Sequence, residues 1–152
     1  TTKKEGAKVL LGGKRPQGFN KGYFYEPTVF DQVTPNMEII MEEAFSPVIP
    51  VQRVKSLDEA ITMSNSTRYG LGCSIFTRDI ERALTAADNI QAGTFCINSP
   101  LMENMAAPFG GMKQSGIGRE HGLEALEEFR EAKHIFIDYD HSNKDWWFGN
   151  EE

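Results

Sequence analysis

From Val48 to Asn98 the chain alternates short apolar runs with capped, amphipathic stretches, and that order constrains the fold more than any other feature of the 152 residues. Residues 48–54 (VIPVQRV) read as a buried strand with a proline near its start. Ser56-Leu57-Asp58-Glu59 is a capping-box pattern in which Ser56 accepts from the Glu59 amide. The helix it opens sets Leu57, Ala60, Ile61 and Ser64 along one side and stops near Asn65. Residues 69–72 (YGLG) break the chain, and residues 73–77 (CSIFT) make the next strand. Asp79 starts a second helix, with Ile80, Ala83, Leu84, Ala87 and Ile90 on its inward stripe and Gly93 as C-cap. Residues 94–98 (TFCIN) are a third strand. Strands joined by helices through short links pair in parallel by right-handed crossovers. The expected fold class is therefore α/β, a parallel open sheet with flanking helices.

The flanks add smaller elements. Residues 8–11 (KVLL) are a strand closed by Gly12-Gly13, and residues 14–22 are a surface connection with turn chemistry. Tyr23-Phe24-Tyr25 and Thr28-Val29-Phe30 are strand material interrupted by Pro27. Residues 37–43 suit a short helix after Pro35-Asn36. Residues 119–133 read as a helix with Leu123, Leu126 and Phe129 toward the core, and residues 134–139 (HIFIDY) as a last strand. The tail 140–152 is polar apart from Trp146-Trp147-Phe148. The expected organisation is one body over 1–133 and a terminal strand and tail over 134–152.

Residues 108–122 (PFGGMKQSGIGREHG) hold five of the 14 glycines. Glycine costs roughly 1 kcal/mol relative to alanine inside a helix, so such a run marks tight turning or close approach to the backbone. Two phosphate-loop patterns fail here. Gly116-x-Gly118 is followed by Gly122, one residue too late for a dinucleotide fingerprint. Gly111 and Gly116 have the first spacing of a P-loop, but Ile117-Gly118 follows where lysine and a hydroxyl are needed.

Charge and composition exclude several classes. A net charge of −6 without a basic stripe argues against binding by phosphate neutralisation, so no nucleic-acid partner is expected. No apolar run approaches the roughly 18–20 residues that span a bilayer, and no signal peptide is evident, so no membrane partner and a cytoplasmic location are expected. Cys73 and Cys96 fit neither a zinc site nor a redox pair and read as reduced core thiols. His121, His134 and His141 have no metal-ligand spacing, and no metal is expected. The opening Thr1-Thr2-Lys3-Lys4 lacks an initiator methionine, which suggests a piece of something longer.

Ligands of parallel α/β sheets gather at the carboxyl ends of strands. Two stretches fit that placement. In residues 99–107 (SPLMENMAA), Met102 and Met105 can line an adaptable apolar pocket, with Glu103 and Asn104 as polar handles; a plain surface loop reads equally well. In residues 41–47 (MEEAFSP), two carboxylates and an aromatic can meet a ribose diol and a planar ring; a solvated helix end reads as well.

The residues then point to a family. Glu42-Glu43-Ala44-Phe45-Ser46-Pro47-Val48 resembles the E-E-x-F-G-P-V signature of NAD(P)-dependent aldehyde dehydrogenases, with Ser46 for the usual glycine. Gly22-Tyr23-Phe24-x-x-Pro27-Thr28-Val29-Phe30, Tyr69-Gly70-Leu71, Ala92-Gly93-Thr94 with Ile97-Asn98, and the glycine stretch from Pro108 to Glu120 resemble further family motifs in order, over residues 5–139. In that family a cysteine thiolate attacks the aldehyde, hydride leaves for the nicotinamide, and a glutamate-activated water releases the acid. The resemblance implies that nucleophile, general base and coenzyme glycine motif lie upstream of this stretch. Neither Cys73 nor Cys96 occupies the nucleophile's motif. The chain then corresponds to the C-terminal portion, inactive alone.

By resemblance, Glu43 holds the nicotinamide ribose and Phe45 lies beside the nicotinamide of NAD or NADP. Asn98, Met102, Glu103, Met105 and Phe109 line the aldehyde tunnel, and Glu120 serves proton relay around the general base, with Arg119 its structural partner. Glu103 falls where many members carry an aromatic, which favours a polar, amino- or ammonium-bearing aldehyde. Residues 134–139 match a segment that joins a neighbouring subunit's sheet in a homodimer or tetramer. The rival expectation is a non-catalytic assembly module that retains only this subunit pairing.

Overall fold

A computed structural model describes residues 1–100, 104–139 and 142. The chain runs β1 (Lys8–Leu11), β2 (Thr28–Asp31), α1 (Glu38–Met41), β3 (Val48–Pro50), α2 (Leu57–Asn65), β4 (Gly72–Ile75), α3 (Ile80–Asn89), β5 (Thr94–Ile97) and α4 (Gly122–Glu128), with a 3-10 turn at Lys113–Ser115. The α/β class holds. β2 pairs with β3 in parallel, and β4 with β5, in register Gly72 to Thr94 through Ile75 to Ile97.

The strands fall into two sheets, where the sequence reading expects one. β1-β2-β3 forms the first, with β1 antiparallel to β2, and β4-β5 forms the second. β3 and β4 are consecutive strands but not hydrogen-bonded neighbours. A cavity of about 630 Å³ is lined by Val48 and Pro50 of β3 and by Gly72 and Cys73 of β4.

The first sheet carries the main core. Ala7, Phe30, Val33 and Met37 are buried, with Val9, Ile39, Ile40 and Val48 packed against them. Thr28 is fully buried with its polar group satisfied: Oγ1 accepts from the Gly13 N–H (2.7 Å) and donates to the Glu26 carbonyl (2.8 Å). Asp31 accepts from Arg53 Nη2 (2.9 Å) and from the Gln32 N–H (2.9 Å). The Arg53 hydrogen bond first, then the Gln32 amide, hold its carboxyl below the ordinary aspartate range.

The two longer helices begin where their caps predict. Ser56 Oγ accepts from the Glu59 N–H (3.1 Å) and Glu59 Oε2 accepts from the Lys55 N–H (2.6 Å), while Asp79 Oδ1 accepts from the Arg82 N–H (3.1 Å). At their far ends Asn65 ties the two together, its Nδ2 donating to the Asn89 carbonyl (2.8 Å) and its Oδ1 accepting from the Gln91 N–H (2.8 Å).

Four sequence expectations are corrected. On α3 the buried residues are Ala83 and Ala86, while Ile80 and Leu84 are exposed; one neighbouring helix and a two-stranded sheet are too narrow to cover a wide apolar stripe. α4 is shorter than 119–133, and Leu123, Leu126 and Phe129 are exposed, with no extensive packing of another described element against α4. Residues 134–139 form no strand, since a strand exists only as a hydrogen-bonded pair and this segment has no ladder partner here. Residues 23–25 also form none: Phe24 turns back onto Phe19, ring centroids 4.6 Å apart. Trp146, Trp147 and Phe148 lie outside the described residues. Among the described residues no helix is long and apolar enough to cross a membrane, and no cluster of His, Cys, Asp and Glu is fit to hold a metal ion.

Candidate active site

The loop between α1 and β3 distinguishes its two glutamates. Glu42 caps α1, its N–H bonding the Glu38 carbonyl (2.8 Å), and its carboxylate is taken by Arg68 Nη2. The same nitrogen donates to the Tyr69 hydroxyl (2.9 Å), and the guanidinium lies 5.1 Å from that ring's centroid. The Tyr69 hydroxyl first, and then Glu42, raise the Arg68 pKa above its ordinary value. Glu43 has no hydrogen bond or ion pair among the described residues. It lines the 630 Å³ cavity together with Ser64, Thr67, Tyr69, Gln91 and Gln114. Phe45, two residues on, is 92% exposed. The Ser46 N–H donates to the Ala44 carbonyl (2.6 Å) and the Val48 N–H to the Ser46 carbonyl (2.8 Å), so two tight turns carry the chain into β3 with serine at that position. The loop thus carries one ion-paired carboxylate, one carboxylate with no partner among the described residues, and one exposed aromatic ring two positions on.

The glycine stretch builds a corner. The Met112 N–H and the Gly93 N–H both donate to the Gly70 carbonyl (2.8 and 3.0 Å), and the Gly70 N–H donates to Ser115 Oγ (2.8 Å). Lys113 Nζ donates to the Thr67 carbonyl (2.7 Å) and the Asn65 carbonyl (3.2 Å), closing the end of α2. Gly93 lies so close that a Cβ there would collide with the Gly110 carbonyl oxygen. The stretch is thus tied to the α2 end and to the Gly70 and Gly93 turns as a structural corner.

Beyond the corner, the chain forms a wall. Phe109 and Glu120 exchange two backbone hydrogen bonds, each 2.7 Å, and the Gly122 N–H donates to the Met105 carbonyl (3.1 Å). Phe109 lines a second cavity of about 340 Å³ with Phe95, Cys96, Ile97, Ser99 and Asn104. Met105 is 72% exposed and does not line it. The Glu120 side chain is exposed and has no partner among the described residues, so its backbone makes the observed contacts. Arg119 Nη1 braces the loop by donating to the Gly111 (3.0 Å) and Gly118 (2.7 Å) carbonyls. His121 follows at φ 60°, ψ 173°, a conformation that costs a residue other than glycine about 1–3 kcal/mol. Met102 and Glu103 lie outside the described residues.

Asn98 follows β5 directly. It sits at φ 56°, tolerated by asparagine, with Nδ2 donating to the Thr77 carbonyl (2.8 Å) and Oδ1 accepting from the Thr77 N–H (2.8 Å). The amide thus pairs with the Thr77 backbone and extends the β4–β5 pairing by one residue. The cysteines are half-buried, where the sequence reading places them in the core. Burial first, with Cys96 nearby, pushes the Cys73 thiol up, which keeps it protonated and a poor nucleophile at neutral pH.

Sequence reasoning assigned no role to Arg68, the Thr77 contact of Asn98 or His121. Their partners lie elsewhere in the chain, and no local spacing marks them. The positive φ of His121 and Asn98 has no sequence signature beyond the neighbouring glycines and turns.

Known proteins resemble this chain in sequence and in fold. The profile of the aldehyde dehydrogenase family matches residues 1–135. Aldehyde dehydrogenase 1A1 of Gallus gallus is 49% identical over 135 residues, covering 89% of this chain and 26% of that protein. Betaine aldehyde dehydrogenase of Brucella anthropi is 45% identical over 138 residues, 90% of this chain and 28% of its own length. The crystal structure of Staphylococcus aureus betaine aldehyde dehydrogenase in complex with NAD+ superposes with a TM-score of 0.88 at 40% identity, covering 98% of this chain and 30% of that one. The chain thus spans little more than a quarter of the length of these relatives.

Proposed function

The chain belongs to the aldehyde dehydrogenase family, and we propose that it is the C-terminal part of an enzyme that oxidises an aldehyde to a carboxylic acid with NAD or NADP. The observation that carries this reading is the division of labour at Glu42-Glu43. Arg68 pairs with the first carboxylate, and the second lines a cavity with no partner among the described residues, two positions before the exposed Phe45. Glu43 accepts from the nicotinamide ribose hydroxyls and Phe45 flanks the ring, which supplies the hydride acceptor when bound. The cysteine nucleophile and the general base belong to polypeptide outside this chain, since Cys73 and Cys96 have neither the motif nor the exposure for the task. Phe109 walls the aldehyde pocket, Met105 and Asn98 fix its loop, and Glu120 stands on the proton path. Glu103 turns selectivity toward a polar, ammonium-bearing aldehyde, and the betaine aldehyde dehydrogenases among the relatives support that class.

The parent enzyme works in the cytoplasm as a homodimer or tetramer; a relative named cytosolic and the exposed apolar segment 134–139 support this. The same segment favours the second reading, a non-catalytic assembly module. The test is made in the full-length protein. Glu43→Gln is expected to slow single-turnover hydride transfer on the order of tenfold or more, with the aldehyde KM little changed. Unchanged hydride transfer would remove Glu43 from the cofactor site. The isolated chain is expected to give no NADH absorbance with aldehyde and NAD; turnover by it would overturn the assignment of the nucleophile.

A further inference from the structure

His121 is held in a conformation that glycine adopts freely and other residues avoid, and glycine follows it at 122. What histidine adds is a ring. Its imidazole lies against Phe109, centroids 6.2 Å apart and planes inclined by 36°. Its Nδ1 is buried with no hydrogen-bond partner among the described residues, so no hydrogen bond at that atom accounts for its placement. The Phe109 backbone is already pinned by the two hydrogen bonds to Glu120, which leaves only the side-chain torsions of Phe109 to be fixed. The residue next to Glu120 places its ring against that of Phe109.

We propose that His121 is a positioning residue that holds the Phe109 ring in one orientation and thereby sets the width, and so the side-chain selectivity, of the aldehyde pocket. This rests on the reading of Phe109 as a wall of that pocket. The backbone strain at 121 persists because three hydrogen bonds flank it: two between Phe109 and Glu120, and one from Gly122 to Met105. A glycine at 121 relaxes the backbone and removes the ring together. Loss of the ring and loss of stability therefore go in opposite directions, which separates positioning from a general structural role.

The experiment uses the full-length protein with 3-fluorophenylalanine at position 109. In the parent protein the fluorine is expected to resonate away from its position in the denatured protein, which marks a packed ring environment. In His121→Gly this resonance shifts and broadens, the KM for a bulky aldehyde changes about fivefold or more relative to that for a small one, and kcat and the NAD KM stay within twofold. His121→Phe, which restores a ring, returns both readouts toward the parent values. If His121→Gly is insoluble, His121→Asn removes the ring in its place. An unchanged fluorine spectrum overturns the proposal. So does a changed spectrum with unchanged relative KM values, because the ring then moves without consequence for the aldehyde. If the parent protein oxidises no aldehyde, the functional reading fails; the claim on selectivity falls with it, and the fluorine spectrum still decides whether His121 orients Phe109.

Discussion

At the scale of single residues, the same side-chain chemistry has different consequences according to its partner. Glu42 and Glu43 are adjacent and chemically identical, yet one is neutralised by Arg68 and the other is available to a ligand. Asp31 provides a pH-dependent case. Its carboxyl is held below the usual range by Arg53, so the folded state binds its proton less readily than the unfolded state. Its contribution is therefore complete above the unfolded pKa of about 3.9 and is lost as the pH falls through the folded value. Asp31→Asn is expected to lower the melting temperature at pH 7, with the difference from the parent protein closing below pH 4. A difference that persisted unchanged into acid would show that the carboxylate charge is not the stabilising feature. The Arg53 side chain is 77% exposed, so salt is expected to weaken the effect.

At the scale of elements, short-range chemistry succeeded where caps and turns decide the outcome. Ser56 and Asp79 start α2 and α3 as their residue types require, and Gly12-Gly13 ends β1. The glycine stretch was legible as a corner but not as a contact, since its tightest approach joins Gly93 to Gly110. An added methyl group at Gly93 has only a carbonyl to displace, and that carbonyl belongs to the loop leading to Phe109. Gly93→Ala is expected to destabilise the full-length protein by about 3 kcal/mol or more, seen as a large fall in melting temperature or in soluble yield. A variant of parental stability would mean that the corner has slack that the observed contact denies. Apolar periodicity was less informative. It placed Ile80, Leu84, Leu123, Leu126 and Phe129 inward, and all five are exposed in this chain. Periodicity reports which face wants cover, and cannot report where the covering element comes from.

At the scale of the whole molecule, many large apolar side chains of the described residues lie uncovered. Phe45, Phe76, Leu123, Phe129, Phe136 and Tyr139 are among the large apolar side chains left uncovered. The separation of the two sheets belongs to the same pattern, with β3 and β4 flanking a cavity and no described strand between them. The isolated chain is expected to bind a hydrophobic dye such as ANS and to sediment as species larger than a monomer. The full-length protein at equal concentration is expected to do neither to the same extent. A monomeric, dye-silent chain would show that these faces need no cover, and would count against the reading of the chain as one part of a larger enzyme.

The sequence by itself determined the class, the order of the main elements, the helix starts and the family, because caps, turns and motifs act across a few residues and are written side by side. The glycine stretch could likewise be excluded as a phosphate loop by counting. Only the tertiary structure decided which glutamate is free, since Arg68 reaches Glu42 across 26 positions. It alone showed that Asn98 serves Thr77, 21 positions away, and that the strands divide into two sheets. It alone set His121 against Phe109, because a ring contact depends on how two backbones are pinned to each other. Such pairings arise when the chain closes on itself, and neither partner carries a local mark of the other.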